Sequence, residues 1–159
     1  MKKVFFLFVL ALVANVAHSQ SSLPDLTLKN LDGKNINLPE ISKDKTVVIS
    51  LWATWCVPCK NELDAISDVY EDWQDETDIT LYAVSVDDSR TVKRVKPLVN
   101  GKGWEYEVLL DTNNDLKREL GAATVPLTLI VKNNKILYRH SGYTAGAEDE
   151  LFEEIKKHI

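Results

Sequence analysis

The 159-residue chain has two cysteines, Cys56 and Cys59, both in the segment LWATWCVPCKNEL at residues 51–63. Four chemistries use thiols at this spacing: a structural cross-link, a metal centre, covalent haem attachment and a redox couple. A Cys56–Cys59 bridge closes only a tiny loop, so it removes less unfolded-state entropy than the ~3 kcal/mol of a 15-residue loop. It would be a poor staple. Tetrahedral zinc needs four ligands, and beyond the leader only His140, His158 and carboxylates could complete the set. Haem attachment needs a histidine directly after the second cysteine, where this chain has Lys60.

The redox reading fits the local features. The run KTVVISLW before the motif is apolar, β-branched and of strand length, as in a strand buried on both faces. After Cys59, the apolar residues Leu63, Ile66, Val69, Tyr70 and Trp73 recur every three or four positions, which predicts one amphipathic helix. The cysteines therefore stand where a strand becomes a helix. Unpaired N–H groups and the dipole there favour a thiolate, the form that attacks disulfides. An unperturbed thiol of pKa ~8.5 is only ~3% ionised at pH 7. Cys56, nearest the helix start, is expected to be the exposed nucleophile, and Cys59, one turn further in, the resolving thiol.

The elements that hold this junction can be read along the chain. LTLKNLDGKNINL predicts a β-hairpin turning at Asp32-Gly33. ITLYAVSV at 79–86 is a strand. DDSRTVKRVKPLVNG is a helix that Pro97 should kink or end. YEVLLD is a further strand, and TNNDLKREL a short helix closed by Gly121. VPLTLIVKNNKILYRHSG predicts two strands around Asn133-Asn134, and a last helix carries Ala147, Leu151, Ile155 and Ile159. Strands alternating with helices predict an α/β sheet, mostly parallel, ending in an antiparallel hairpin. Sites of such sheets lie at the carboxyl ends of strands, where Cys56 falls.

Residues 1–19 have two lysines, an apolar run from Val4 to Ala14, and Ala17 and Ser19 placed for cleavage, the plan of a secretory signal peptide. The run falls short of the ~20 residues that cross a bilayer. Cleavage after Ser19 would leave one domain, 20–159, soluble and exported to the periplasm or beyond. The full chain has 19 Lys and Arg against 24 Asp and Glu, a formal charge of −5. Loss of Lys2 and Lys3 makes it −7, which argues against nucleic acid as a partner. Export also suits a disulfide, since oxidising compartments preserve one.

The motif LWATWCVPCKNEL, together with LGAATVPLTLIVKNNKI, resembles the exported TlpA/ResA-like thiol-disulfide oxidoreductases of the thioredoxin superfamily. The likeness runs through nearly the whole mature chain. It implies a thioredoxin-like α/β fold: a central mixed sheet flanked by helices, with the N-terminal β-hairpin and an extra helix-strand insertion between YAVSVDD and VLLD. It also implies that Cys56 attacks and Cys59 is its buried partner in a redox-active disulfide. Pro126 would follow a cis peptide and face that disulfide, so that Trp55, Val57, Pro58, Val125 and Pro126 meet an extended substrate segment. The alternative for Pro126 is a plain strand-start proline. No metal and no cofactor is implied. Implied partners are exported protein disulfides or thiols, including cytochrome c haem-binding cysteines, and a membrane-embedded thiol electron donor; a monomer is the default. A reductant is the leading direction, with oxidant and isomerase open.

Glu62 stands three residues after Cys59, where ResA-like proteins place an acid. Two roles are open to it: proton acceptor for Cys59, or a helix-start carboxylate worth only ~0.3–1 kcal/mol to the dipole. Many thioredoxins have a buried aspartate six residues before the first cysteine; this chain has Ser50, which cannot act as a base at neutral pH. Trp52 and Trp55 flank the motif, Trp73 reads as core, and Trp104 is open between core and surface. Lys93, Arg94, Lys96 and Lys102 read as a solvated helix face, a docking patch for an acidic partner being the alternative. The competing function is a thioredoxin-fold copper chaperone using Cys56, Cys59 and His140, although such proteins usually place three residues between the cysteines. A peroxidase fits less well, since its lone cysteine normally lies in a different loop pattern.

Overall fold

The computed structural model describes residues 22–159, and the expected leader lies outside them. The sheet is built around β3 (Thr46–Trp52), in which every residue is buried. Its side chains Val47, Val48, Ile49, Leu51 and Trp52 are fully enclosed. Each such burial is worth up to ~1.5–3 kcal/mol relative to exposure. β3 lies between β4 (Thr80–Ser85), which is parallel to it, and β6 (Leu127–Lys132), which is antiparallel.

The remaining strands are β1 (Thr27–Asn30), β2 (Asn35–Asn37), β5 (Glu107–Leu110) and β7 (Lys135–Ser141). Among the described residues the seven strands form one sheet in the order β2-β1-β5-β4-β3-β6-β7. Only β3–β4 and β4–β5 pair in parallel. The sheet is thus mixed, as the family resemblance implies, whereas the strand-helix alternation taken alone predicts a mostly parallel one. The reason is that both hairpins join the sheet, and β1 also docks antiparallel on β5. Gly33 supplies the positive φ of the first hairpin turn, and Asn133 and Asn134 both adopt positive φ in the second.

The helix predicted after Cys59 is two helices, α2 (Val57–Ser67) and α3 (Tyr70–Thr77). The break falls at β-branched Val69, whose N–H bonds back three residues to Ile66 instead of four. The apolar stripe continues across it, with Leu63, Ile66, Tyr70 and Trp73 all buried. Within the helix-strand insertion, a 3-10 turn at Val92–Arg94 leads into α4 (Val95–Lys102). Pro97 sits in the first turn of α4, where its missing N–H has no helical partner to lose, so it neither kinks nor ends the helix. A four-residue helix α1 (Leu38–Ile41) was not expected. Its signal is Asn37, whose side chain accepts the Glu40 N–H at 3.3 Å, followed by Pro39 in the first turn.

α5 (Asp115–Glu119) precedes the Val125–Pro126 loop that leads into β6, and α6 (Ala147–Lys156) closes the fold. Leu151 and Ile155 of α6 are buried, but Ile159 lies beyond the helix and is 54% exposed, which corrects its place in the stripe. Phe152 stacks on Trp73 with centroids 5.0 Å apart, confirming Trp73 as core. Trp104 is also buried, edge-on to Trp52 at 5.1 Å, and its Nε1 donates to Asp64 Oδ1 at 3.0 Å. Lys102 meets Asp64 Oδ2 at 2.5 Å, and Tyr106 Oη donates to the Leu63 carbonyl at 2.7 Å. The α4–β5 insertion thus grips the outer side of α2. Of the four basic residues, Lys96 also pairs internally, with Asp32 at 3.2 Å, and all four are exposed, as a solvated face requires.

Candidate active site

β3 ends at Trp52 and α2 starts at Val57, so the four residues between must turn sharply. The Val86 N–H donates to the Trp52 carbonyl at 2.8 Å, and the Cys56 N–H to that of Ala53 at 3.0 Å. The turn is braced by Asp87, a fully buried carboxylate just past β4. Its Oδ2 accepts the Thr54 N–H and the Ser85 hydroxyl, both at 2.8 Å, while its Oδ1 accepts the Thr54 hydroxyl at 2.6 Å. Sequence reasoning missed Asp87, although its place at the carboxyl end of a strand beside the motif was a usable signal. Asp87→Ala would leave these buried donors unpaired and is expected to destabilise the protein by about 2–4 kcal/mol, measured by urea unfolding.

Cys56 and Cys59 form a disulfide. Cys56 is the N-cap of α2, and its sulfur accepts the Cys59 N–H at 3.3 Å. Pro58, in the first turn, has no N–H to compete for that position. Cys56 is 6% exposed and Cys59 0%, so only Cys56 can be reached from outside. The expected exposed nucleophile is in fact nearly covered, because the Val125–Pro126 loop folds over it, with the Val125 carbonyl oxygen 3.7 Å from the Cys56 sulfur. The Val125–Pro126 bond is cis, so Pro126 is not a plain strand-start proline. Trp55 and Val57 flank Cys56 in the chain at 57% and 60% exposure, an apolar rim, and Ala123 and Thr124, which lead into the cis bond, are also exposed.

Glu62 lies past the first turn of α2 and is only 3% exposed, so the surface helix-start role does not hold. Its Oε1 accepts the Thr128 hydroxyl at 2.7 Å and its Oε2 the Ser50 hydroxyl at 3.1 Å. Ser50 thus holds the acid of the next helix in place. Ser50 and Thr128 are direct partners across β3 and β6, so they present their hydroxyls on one face. Burial raises the Glu62 carboxyl to about 7; the two hydroxyls lower it, and the charge of Glu148 adds to the rise. A carboxyl poised there can hold or release a proton at neutral pH.

His140, the third ligand of the copper alternative, faces Thr128 across β6 and β7 and lines a cavity with Glu62. Among the described residues no group of three or more His, Cys, Asp or Glu side chains is placed to hold a metal ion. The donor set gives the copper reading no support.

Residues 20–140 match the model of the AhpC/TSA family. The chain is 28% identical over 111 residues to the thiol-disulfide oxidoreductase ResA of Bacillus subtilis, covering 70% of this chain and 60% of that protein. With ResA of Bacillus anthracis it shares 27% over 115 residues, covering 72% and 64%. The chain therefore spans somewhat less than two thirds of these curated relatives. An uncharacterized thioredoxin-like protein from Porphyromonas gingivalis, solved in solution, is 46% identical with a TM-score of 0.72, covering 85% of this chain and 90% of that one. StoA from Bacillus subtilis shares the fold at 19% identity and a TM-score of 0.68, covering 84% and 98%.

Proposed function

From the premise that this chain belongs to the AhpC/TSA family and has a thioredoxin-like fold, we propose that it is an exported thiol-disulfide oxidoreductase that reduces disulfides in extracytoplasmic proteins. The observation that carries the reading is the Cys56–Cys59 disulfide at the start of α2, Cys56 slightly exposed and Cys59 sealed, with the Val125 carbonyl of the cis-proline loop against Cys56. In the reduced protein, the Cys56 thiolate attacks one sulfur of a substrate disulfide, and the first substrate thiolate leaves. Cys59 gives its proton to Glu62, and its thiolate attacks the Cys56 sulfur. The second substrate thiolate departs, two electrons having passed to the substrate and the Cys56–Cys59 bond having re-formed. A membrane-embedded thiol donor restores the dithiol.

Trp55 and Val57 would hold apolar side chains of the substrate, and the Thr124–Val125 backbone would pair with its extended chain. Pro58 and Pro126 shape the two walls of that groove. Clients of this kind include the haem-binding cysteines of apocytochromes c. Residues 1–19 would direct export, with Gln20 as the mature N-terminus. The deciding measurement is the equilibrium reduction potential of the Cys56–Cys59 pair. A value near the reductant end, about −270 mV, is expected; one near about −120 mV would mean an oxidant and overturn the direction.

A further inference from the structure

Glu62 has a second side. Behind it lies a small, largely enclosed cavity of about 10 Å³, lined by Glu62, Thr128, Tyr138, His140, Glu148 and Glu150 among others. That is room for about one water with several polar partners. No residue flanking the disulfide lines it. Thr128 and His140 are direct cross-strand partners, so Ser50, Thr128 and His140 form a polar row across β3, β6 and β7 on the face that Glu62 covers. Exposure rises along this row and onto α6: Glu62 is buried, His140 and Glu148 half-buried, and Glu150 exposed.

We propose that the proton taken up by Glu62 leaves the protein through this cavity by way of His140, on the side away from the bound substrate. The inference rests on the reading of Glu62 as the acceptor from Cys59. While a mixed disulfide occupies the front of the site, the substrate covers Cys56 and its rim, so a proton released there would have no open path. The imidazole can accept a proton on one ring nitrogen as it gives one up from the other, which restores its charge; tautomer exchange through solvent or a ring flip then returns it to its starting state before the next turnover. Charge is conserved: Glu62 passes one proton through the cavity to His140, and His140 passes one to solvent.

The groups facing Glu62 fit an exit. From β7 come His140 and Tyr138, their rings parallel with centroids 6.4 Å apart. From α6 come Glu148 and Glu150. Glu148 is fixed: its Oε2 accepts the Tyr143 hydroxyl at 2.8 Å and the Gly146 N–H at 3.0 Å. Its negative charge favours keeping the proton on Glu62 until the exit takes it. Glu148 is thus a positioning residue for charge, and His140 the carrier.

The test mixes reduced protein with a disulfide-bonded peptide and follows release of the second peptide thiol across neutral pH. His140→Ala is expected to slow release roughly tenfold, a modest share of what positioned acid–base groups contribute. Free imidazole should restore the rate in this variant and leave the wild type unaffected. His140→Gln, which keeps a polar side chain but cannot relay a proton, should be as slow, so that lost packing is not mistaken for lost transfer. Glu148→Gln should move the midpoint of the pH profile to lower pH. Wild-type rates in both His140 variants, or slow rates that imidazole does not restore, overturn the exit. Glu62→Gln run alongside separates the two levels: if it removes the pH-dependent limb while both His140 variants keep wild-type rates, the acceptor stands and the exit falls. If it too leaves the profile unchanged, the acceptor reading fails and the exit with it.

Discussion

Cys59→Ser is expected to turn the protein from a catalyst into a trap. Cys56 would still attack a substrate disulfide, but no second sulfur would stand behind it to expel the substrate. A covalent complex of one substrate chain per protein should accumulate, visible on non-reducing gels and dissolved by added thiol, while multiple-turnover reduction falls to the background exchange rate. Cys56→Ser should give no such complex, because the remaining thiol is fully buried. If Cys56→Ser trapped substrate and Cys59→Ser did not, the order of the two sulfurs would be reversed. The same experiment, performed on an exported fraction, would identify the clients as the covalently bound proteins.

Glu62→Gln is expected to stabilise the oxidised protein and slow its chemistry together. Burial raises the folded carboxyl from its ordinary 4.5 to about 7. A raised folded pKa gives stability that is fully present below the unfolded value and is lost as pH rises through the folded one. Across that window, from about 4.5 to above 7, the wild type should therefore lose about 3 kcal/mol that the variant keeps. The side chain is only 3% exposed, so solvent screening takes little from this figure. The amide retains partners in Ser50 and Thr128, whose hydroxyls accept as well as donate. Urea unfolding at pH 5 and pH 8 checks the sign, and a stability difference that does not grow with pH would refute the buried, titrating acid. In kinetics, release of substrate from the mixed disulfide should lose the limb set by a group near neutrality. The acid is thus a residue whose burial costs stability where its chemistry is useful.

The parts of this molecule that were legible beforehand depend on neighbours in sequence. The all-buried β3, the thiols at the start of a helix, and the Asn133-Asn134 turn each follow from a pattern spanning fewer than a dozen residues. The cis bond before Pro126 came from the family resemblance, since TVPLT alone fits an ordinary strand start. What stayed hidden depends on register between strands. That Ser50 meets Thr128, and Thr128 meets His140, is set by how β3, β6 and β7 align, and no spacing within one segment reveals it. For the same reason His140 drew attention as a metal ligand, when its place is behind Glu62. Asp87 was hidden differently: the chain passes through a crossover before β4 brings it back to Thr54. The break at Val69 escaped because the apolar period survives it, and periodicity reports which face is buried, not whether the backbone hydrogen bonds are continuous.

The grip of the insertion on α2 bears on how such a protein could be re-engineered. Leu63 and Asp64, the residues held by Tyr106, Lys102 and Trp104, immediately follow Glu62. A graft that kept the cysteine motif but trimmed the chain to the length of a shorter thioredoxin would release the helix one residue beyond its acid. The motif is therefore not a portable cassette. It and the insertion form a single unit of exchange, and chimeras that swap one without the other should lose the alignment of Cys59 and Glu62 while keeping the fold.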